Sequence, residues 1–526
     1  MGLVMPKKIF ASGWPALYLL LLLFGMHVPE AAANPAAQGQ WSTVLVPKTN
    51  QPLYAPINPV HAALLSNGKV LIIAGSGNCP PKQSGCPGYP NTSYAGPYGP
   101  SNGSGAALYD PVAKTFTQFS LRWDMFCNSM VLLPDGRALI VGGTTQYDPF
   151  YGQPKTSIFD FKTNTFTDMQ PMAQGRWYPT VTTLGDGRAV TFSGLDGSGN
   201  TTNLVEIYDP AGSGWTKVDC SSPSANCWTP PLYPRMHLLP NDKVFYSGPN
   251  TPSHLFDPVN STWSNGANTN HSWRGYGTSV LLPLTPANNY DPKVMIMGGD
   301  NPAVATTEII DLNASSPSWQ SGPSMSQARI EMNAVILPTG KVLALGGSTM
   351  DESVTYASLK ADLYDPITNT FSSAGANAYA RLYHSVALLL PNATVWVAGG
   401  NPSRGTYEQH MEIYKPAYLF KRNGARATRP SISNVPSPSV TWGQQFPVQT
   451  PDAANIASVV LVRNGAVTHA FNADQRLVGM SFTRGTGVLN VTAPPTGNIA
   501  PPGYYMLFLV KRSGVPSLAS SILLHP

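Results

Sequence analysis

The segment Ala380–Ser385, ARLYHS, sets a tyrosine beside a histidine, Tyr383 and His384, directly ahead of the apolar run VALLL. Imidazole suits copper, and a phenolate joins it once the metal has displaced the phenol proton. A lone histidine or tyrosine ahead of a strand is more often a packed structural residue, so the pair gains weight only through company. Aligning the chain on its tight turns supplies that company. His384 lies nine residues before Ala393, Cys127 nine before Gly136 and Tyr178 nine before Gly187. Pro59, Tyr233, Tyr276 and Glu331 occupy the same register and are candidates for the wall of a site. Cysteine, tyrosine and histidine at one height can bind a metal. The same positions also suit aromatic packing and a buried, inert thiol, and spacing leaves both readings open.

The turns belong to a repeat that would carry these residues together. Each copy has an apolar strand, a turn, a second apolar strand ending in glycine, then a loop and a third strand. Examples are HAALLSNGKVLIIAGS from His61, NSMVLLPDGRALIVGG from Asn128 and SVALLLPNATVWVAGG from Ser385, with third strands such as ALYDP from Ala107 and EIYDP from Glu206. Seven copies of about 50 residues match the period of propeller blades, and the NG, DG and TG turns are hairpin signals. The chain is therefore predicted to be all-β, with a seven-bladed kelch-like β-propeller over residues 40–425. Three strands per copy leave a fourth to be found, and Trp41–Val46 is expected to supply the outer strand of the last blade and close the ring. Equivalent positions in different blades lie at one height round the axis, so the register residues would meet at one mouth of the channel. After the basic, Pro/Ser-rich linker KRNGARATRPSISNVPSPSV, residues 428–526 read as the short alternating strands of an immunoglobulin-like β-sandwich.

Composition agrees with many short strands. The 526 residues include 48 Gly and 51 Pro but only 11% charged residues. The net charge of +5 comes without a Lys/Arg cluster, so nucleic acid is set aside as a partner. Lys7 and Lys8, the apolar run Leu17–Phe24 and the alanines Ala31–Ala33 make residues 1–33 a secretory signal peptide, which predicts a secreted or cell-surface protein. Export gives the cysteines meaning: Cys79–Cys86 and Cys220–Cys227 are expected to form short-range disulfides, leaving Cys127 over. A zinc hydrolase is disfavoured, since the chain has no HxxEH motif or carboxylate cluster.

Five segments, in order, resemble the copper-radical oxidases, the galactose oxidase and glyoxal oxidase family. They are WDMFCNSM around Cys127, GRWYPT around Tyr178, RLYHSVALLLP around His384, VTHAFNADQR around His469 and PPGYYMLFLVKRSGVPSLAS from Pro501. The resemblance covers essentially the whole mature chain. It implies one copper ion held by Tyr178, His384 and His469 in the equatorial plane, with Tyr383 axial. It implies a thioether bond between Cys127 and Tyr178, which would account for the odd cysteine. His469 would reach the site from the tail module. The implied reaction oxidises an alcohol or hydrated aldehyde by two electrons, one taken by copper and one by the Cys127–Tyr178 radical cofactor. Tyr383 would act as general base, Tyr178 would take the carbon-bound hydrogen, and O2 would be reduced to hydrogen peroxide. The protein is expected to be a monomer, with a cell-surface glycan as a further partner class.

The chain also departs from galactose oxidase. The stretch before Trp41 leaves no room for that enzyme's extra N-terminal carbohydrate-binding domain. The loop GLDGSGN places Asp196 where that enzyme stacks a tryptophan on the cross-linked tyrosine, and Trp177 and Trp273 are the candidates to stand in. These departures favour a glyoxal oxidase-like enzyme acting on small aldehydes or primary alcohols. The alternatives are a galactose oxidase-like carbohydrate oxidase and a non-catalytic, glycan-binding propeller.

Overall fold

The computed structural model describes residues 34–77, 105–146, 149–212, 214–218, 228–403 and 405–526. The expected signal peptide and both expected disulfides lie outside the described residues, and Cys127 is a free, buried thiol. The fold is all-β, interrupted by short helical turns. Among the described residues, seven antiparallel four-strand units follow one another along the chain. Their first strands, such as His61–Leu64, Ser129–Leu132 and Val386–Leu389, are buried at every position. A strand covered on both faces reads as an unbroken apolar run, which is how these appear in the sequence. The first strand of the seventh unit lies against that of the first, as each does against its neighbour in most of the series.

Gln40–Thr43 pairs antiparallel with Glu412–Lys415, so the last unit takes its outer strand from the start of the described chain, as expected. The other six units each make their own fourth strand, which the three-strand reading of the repeat missed. Thr115–Phe119 and Thr165–Met169 are examples, half-buried only at their second and fifth positions and otherwise exposed. Such short, threonine-rich edge strands carry little apolar signal.

A repeated ion pair ties four of the seven units together internally. Arg176, Arg274, Arg329 and Arg381 are buried, and each pairs with an acid at the head of its own third strand. The partners are Glu206, Glu308, Asp362 and Glu412, at 2.9, 2.8, 2.8 and 2.7 Å. The carbonyls of three of these arginines in turn accept hydrogen bonds from the glycine pair of the preceding unit, at Gly143, Gly299 and Gly347. That close approach explains the glycines that end each second strand. A Cβ at Gly142 would lie 2.3 Å from the Arg176 carbonyl, and one at Gly298 would lie 2.3 Å from that of Arg329.

The tail contributes a five-stranded and a three-stranded sheet, whose apolar faces share one core that includes Val448, Leu461, Leu489 and Leu507. A loop from this module, residues 464–476, runs in among the first strands of the repeats. Ala466–Thr468 pairs with His61–Leu64, extending the first unit along its inner edge. Asp474 accepts from the Leu132 amide at 2.6 Å and from Thr183 Oγ1 at 3.2 Å. Gln475 bonds both Ile336 N and Ala334 O, Arg476 donates to Leu238 O, and Thr278 Oγ1 donates to Ala470 O. Arg463, paired with Asp474 at 3.2 Å, also reaches Leu132 O at 2.9 Å. One loop thus reads the backbone of successive repeats.

Candidate metal centre

The register found from turn spacing is a conformational fact. Cys127, Tyr178, Tyr233, Tyr276, Glu331 and His384 all have positive φ, between 45° and 65°. Pro59 completes the series, and its ring forbids that conformation. A left-handed residue costs roughly 1–2 kcal/mol when it is not glycine, so six side chains are turned off the strand direction at a common cost. Backbone bonds link neighbours in the series. Tyr178 N donates to Cys127 O at 3.1 Å, Tyr233 N to Tyr178 O at 2.9 Å, and Glu331 N to Tyr276 O at 2.7 Å. His469, arriving on the tail loop, has φ of 46° as well.

Two imidazoles meet head to head. His384 Nε2 and His469 Nε2 are 2.9 Å apart, and Cys127 Sγ lies 3.7 Å from His469 Nε2. The partners on the far nitrogens fix both tautomers. Asn401 spends its Nδ2 hydrogen on Thr406 O, so its Oδ1 accepts from His384 Nδ1–H at 2.5 Å. Thr468 Oγ1 donates to Val60 O at 3.0 Å, so it accepts from His469 Nδ1–H at 2.5 Å. Both Nε2 atoms are left with lone pairs aimed at each other, and such an arrangement calls for a cation. Two imidazole nitrogens bound cis to one metal at the usual ~2.0 Å stand about 2.8 Å apart, close to the spacing found. Burial reinforces this by holding His469 well below the ordinary histidine range and His384 down to about 3. Both rings are therefore neutral, as ligands must be.

The tyrosines surround this pair. The His469 ring lies 4.7 Å from that of Tyr178, 4.4 Å from Tyr233 and 5.2 Å from Tyr383. Tyr383 stacks on His384 at 3.9 Å. Burial pushes the Tyr383 phenol and the Cys127 thiol well above their ordinary pKa values. All five residues singled out in the sequence, Cys127, Tyr178, Tyr383, His384 and His469, are thus brought together. Histidine, thiol and phenol at this spacing fit copper better than the hard cations, which prefer carboxylate and carbonyl oxygen.

The remaining candidates separate. Trp177 stacks face to face on Tyr178, at 3.7 Å and 9° between planes, and Phe150 stacks on the other face of Trp177 at 4.2 Å. Trp273 is 42% exposed, and Asp196 closes a turn by accepting from the amides of Ser198 and Asn200. Tyr276 and Glu331 form an outer wall. Tyr276 meets Tyr383 edge-on at 5.7 Å, and the Glu331 carboxyl has its pKa pushed up by burial and then by Glu352. Asn401, Thr468, Phe150 and the buried arginines were not found from the sequence. Asn401 and Thr468 had no signal of their own, whereas the arginines recur two residues before Tyr178, Tyr276, Glu331 and Tyr383 and could have been found.

Residues 60–418 match the family described as Glyoxal oxidase N-terminus, and residues 429–524 match the Galactose oxidase-like, Early set domain. The chain belongs to the copper-radical oxidase family. It is 28% identical to a galactose oxidase of Gibberella zeae over 429 residues, 76% of this chain and 60% of that relative. It therefore spans about 60% of the length of that enzyme. It is 30% identical to the aldehyde oxidase GLOX of Vitis pseudoreticulata over 453 residues, 77% of this chain and 82% of the relative. A fungal alcohol oxidase of the AA5 family, solved in complex with copper, is similar with a TM-score of 0.78 and 25% identity, covering 93% of this chain and 100% of that one.

Proposed function

We propose that this chain is a secreted copper-radical oxidase that converts a small aldehyde, such as glyoxal or methylglyoxal, or a primary alcohol with O2, yielding hydrogen peroxide. The reading rests on one observation: two tautomer-fixed Nε2 lone pairs face each other at 2.9 Å inside the ring that also carries Cys127 and Tyr178. In it the seven units are the blades of a propeller, and the tail is an immunoglobulin-like sandwich that delivers His469. Tyr178, Tyr383, His384 and His469 would hold the copper ion. Copper, when bound, supplies one-electron redox capacity and acidifies the substrate hydroxyl.

The chain's own residues do the rest. Cys127 and Tyr178 would join by a thioether to form the second one-electron carrier: the thiol S–H and one ring C–H of Tyr178 are broken, the C–S bond forms, and the two electrons and two protons pass to O2 during aerobic copper loading. Tyr383 takes the hydroxyl proton as general base. Tyr178 takes the hydrogen from carbon. Trp177, backed by Phe150, covers one face of the Tyr178 ring and keeps water from it. Two electrons and two protons pass from the substrate to O2 in each cycle.

The aldehyde reading is supported by the similarity to an aldehyde oxidase at 30% identity. Asp196 no longer argues for it, because Trp177 restores a tryptophan on Tyr178 from the adjacent position. That observation favours keeping a galactose oxidase-like carbohydrate oxidase as the second reading. A substrate panel on copper-loaded protein decides between them: peroxide from glyoxal and methylglyoxal is expected, and peroxide from galactose alone would reverse the choice. Peptide mapping after aerobic copper loading should join Cys127 to Tyr178. A free Cys127 thiol would sink the radical mechanism.

A further inference from the structure

At the end of the sheets opposite the register residues, the first and seventh units and the start of the tail enclose a cleft of about 470 Å³. Asn392, in the turn that follows the His384 strand, marks its position. Lys114, Lys415 and Arg426 line it, and among the described residues no carboxylate does. They differ from Arg429, a fourth lining cation, whose guanidinium is committed to the carbonyls of Pro516, Asn392 and Ser517. Lys114, Lys415 and Arg426 make no ion pair among the described residues, and Arg426 rests on the ring of Phe420 with its charge free. Lys415 is lowered from the usual lysine range, first by burial and then by Arg426 and Lys114, so the three charges converge closely enough to oppose one another.

The rest of the lining specifies what would relieve that repulsion. Ser42, Thr43 and Thr394 offer hydroxyls, and Leu390, Ile413 and Leu419 offer apolar wall. Clefts of about 300–1,000 Å³ hold small ligands, and an anion between an arginine and two lysines gains charge-assisted hydrogen bonds. A sugar ring presents hydroxyls on its edge and C–H groups on its faces, which matches hydroxyls set against an apolar wall. We infer that this cleft, built by Lys114, Lys415 and Arg426, is a binding site for an acidic saccharide bearing carboxylate or sulfate groups. The site is separate from the metal centre and would anchor the protein on an anionic glycan.

The test is titration calorimetry of the full copper-loaded chain with trigalacturonate, a sulfated galactose trimer and neutral galactotriose. At least one of the two anionic trimers should bind, weaken as salt is raised, and outcompete galactotriose, and whichever binds tighter identifies the acidic group. The K415Q/R426Q double variant should lose about tenfold or more in that affinity, with its melting temperature and copper content unchanged. The inference is overturned if neither anionic trimer binds, if galactotriose binds as well, or if the double variant binds like wild type. Tighter binding of duplex DNA or of phosphatidylserine vesicles, lost in the same variant, would also overturn it.

Discussion

Trp177 and Asn401 show how single side chains set the properties of this centre. Trp177 covers the Tyr178 ring at 3.7 Å, an arrangement the sequence could only offer as one of two candidates. Sequence neighbours on a strand point apart, and here the positive φ of Tyr178 turns its ring back beside that of Trp177. An aromatic stack is worth about 0.5–1.5 kcal/mol, so Trp177→Ala should lower turnover by up to about tenfold and shorten the life of the radical absorption. Copper affinity should hold, and Trp177→Phe should recover most of the loss. Asn401 acts through His384. Removing the partner of a ligating histidine costs roughly 10–100-fold in metal affinity, so Asn401→Leu should show that loss in a chelator competition. An unchanged affinity would mean that the tautomer is held by something else.

Among the elements, the legible part was the buried one. First and second strands announced themselves as apolar runs between NG, DG and TG turns, and the turn spacing located the register residues to within one position. The outer strands did not show, because they are short and mostly exposed, with only residues such as Phe116, Phe119, Phe166 and Met169 half-buried among threonines and other polar residues. The buried Arg–acid pairs hold four of the register loops to their own third strands, with side chains 0–3% exposed. Breaking a buried pair by removing one partner costs about 3–5 kcal/mol. Glu412→Leu should therefore lower the urea midpoint sharply and disturb copper binding at Tyr383 and His384. Asp186→Ala, which removes the exposed partner of Arg188, should cost less than about 1 kcal/mol. Equal effects would show that the internal pairs do not position the site.

For the whole molecule, the buried histidines set an acid limit. His61, His237, His384 and His469 are all held below the ordinary range by burial, His237 to about 3. Unfolded, each would titrate near pH ~6.5. Between those values the unfolded chain binds more protons, so stability is present above about pH 6.5 and is lost as pH falls toward 3. For His237, bonded to Ser279 Oγ at 2.7 Å, the loss at about pH 4.5 is on the order of 2–3 kcal/mol. Asp124, pushed up to about 7, works in the opposite direction and offsets part of it. Thermal melts of the metal-free protein should fall between neutral and acid pH, and His237→Asn should flatten that fall. A variant with the same slope would assign the acid limit to other groups. At this scale the sequence was informative about which modules exist, and silent about how deeply the tail enters the repeats. Asp474, Gln475 and Arg476 stood only inside the family segment VTHAFNADQR, with no role of their own, because most of their partners are groups far away in the chain.

The pairing of Ala466–Thr468 with His61–Leu64 joins the opening repeat to a segment about 400 residues later. During synthesis, the inner edge of the first sheet must wait for almost the entire polypeptide before it is covered. A chain cut short anywhere before that segment lacks His469 and leaves an unpaired strand exposed, a form prone to association. On the proposed ligand set such a chain would also lack one ligand, so metal content would report whether synthesis had passed His469.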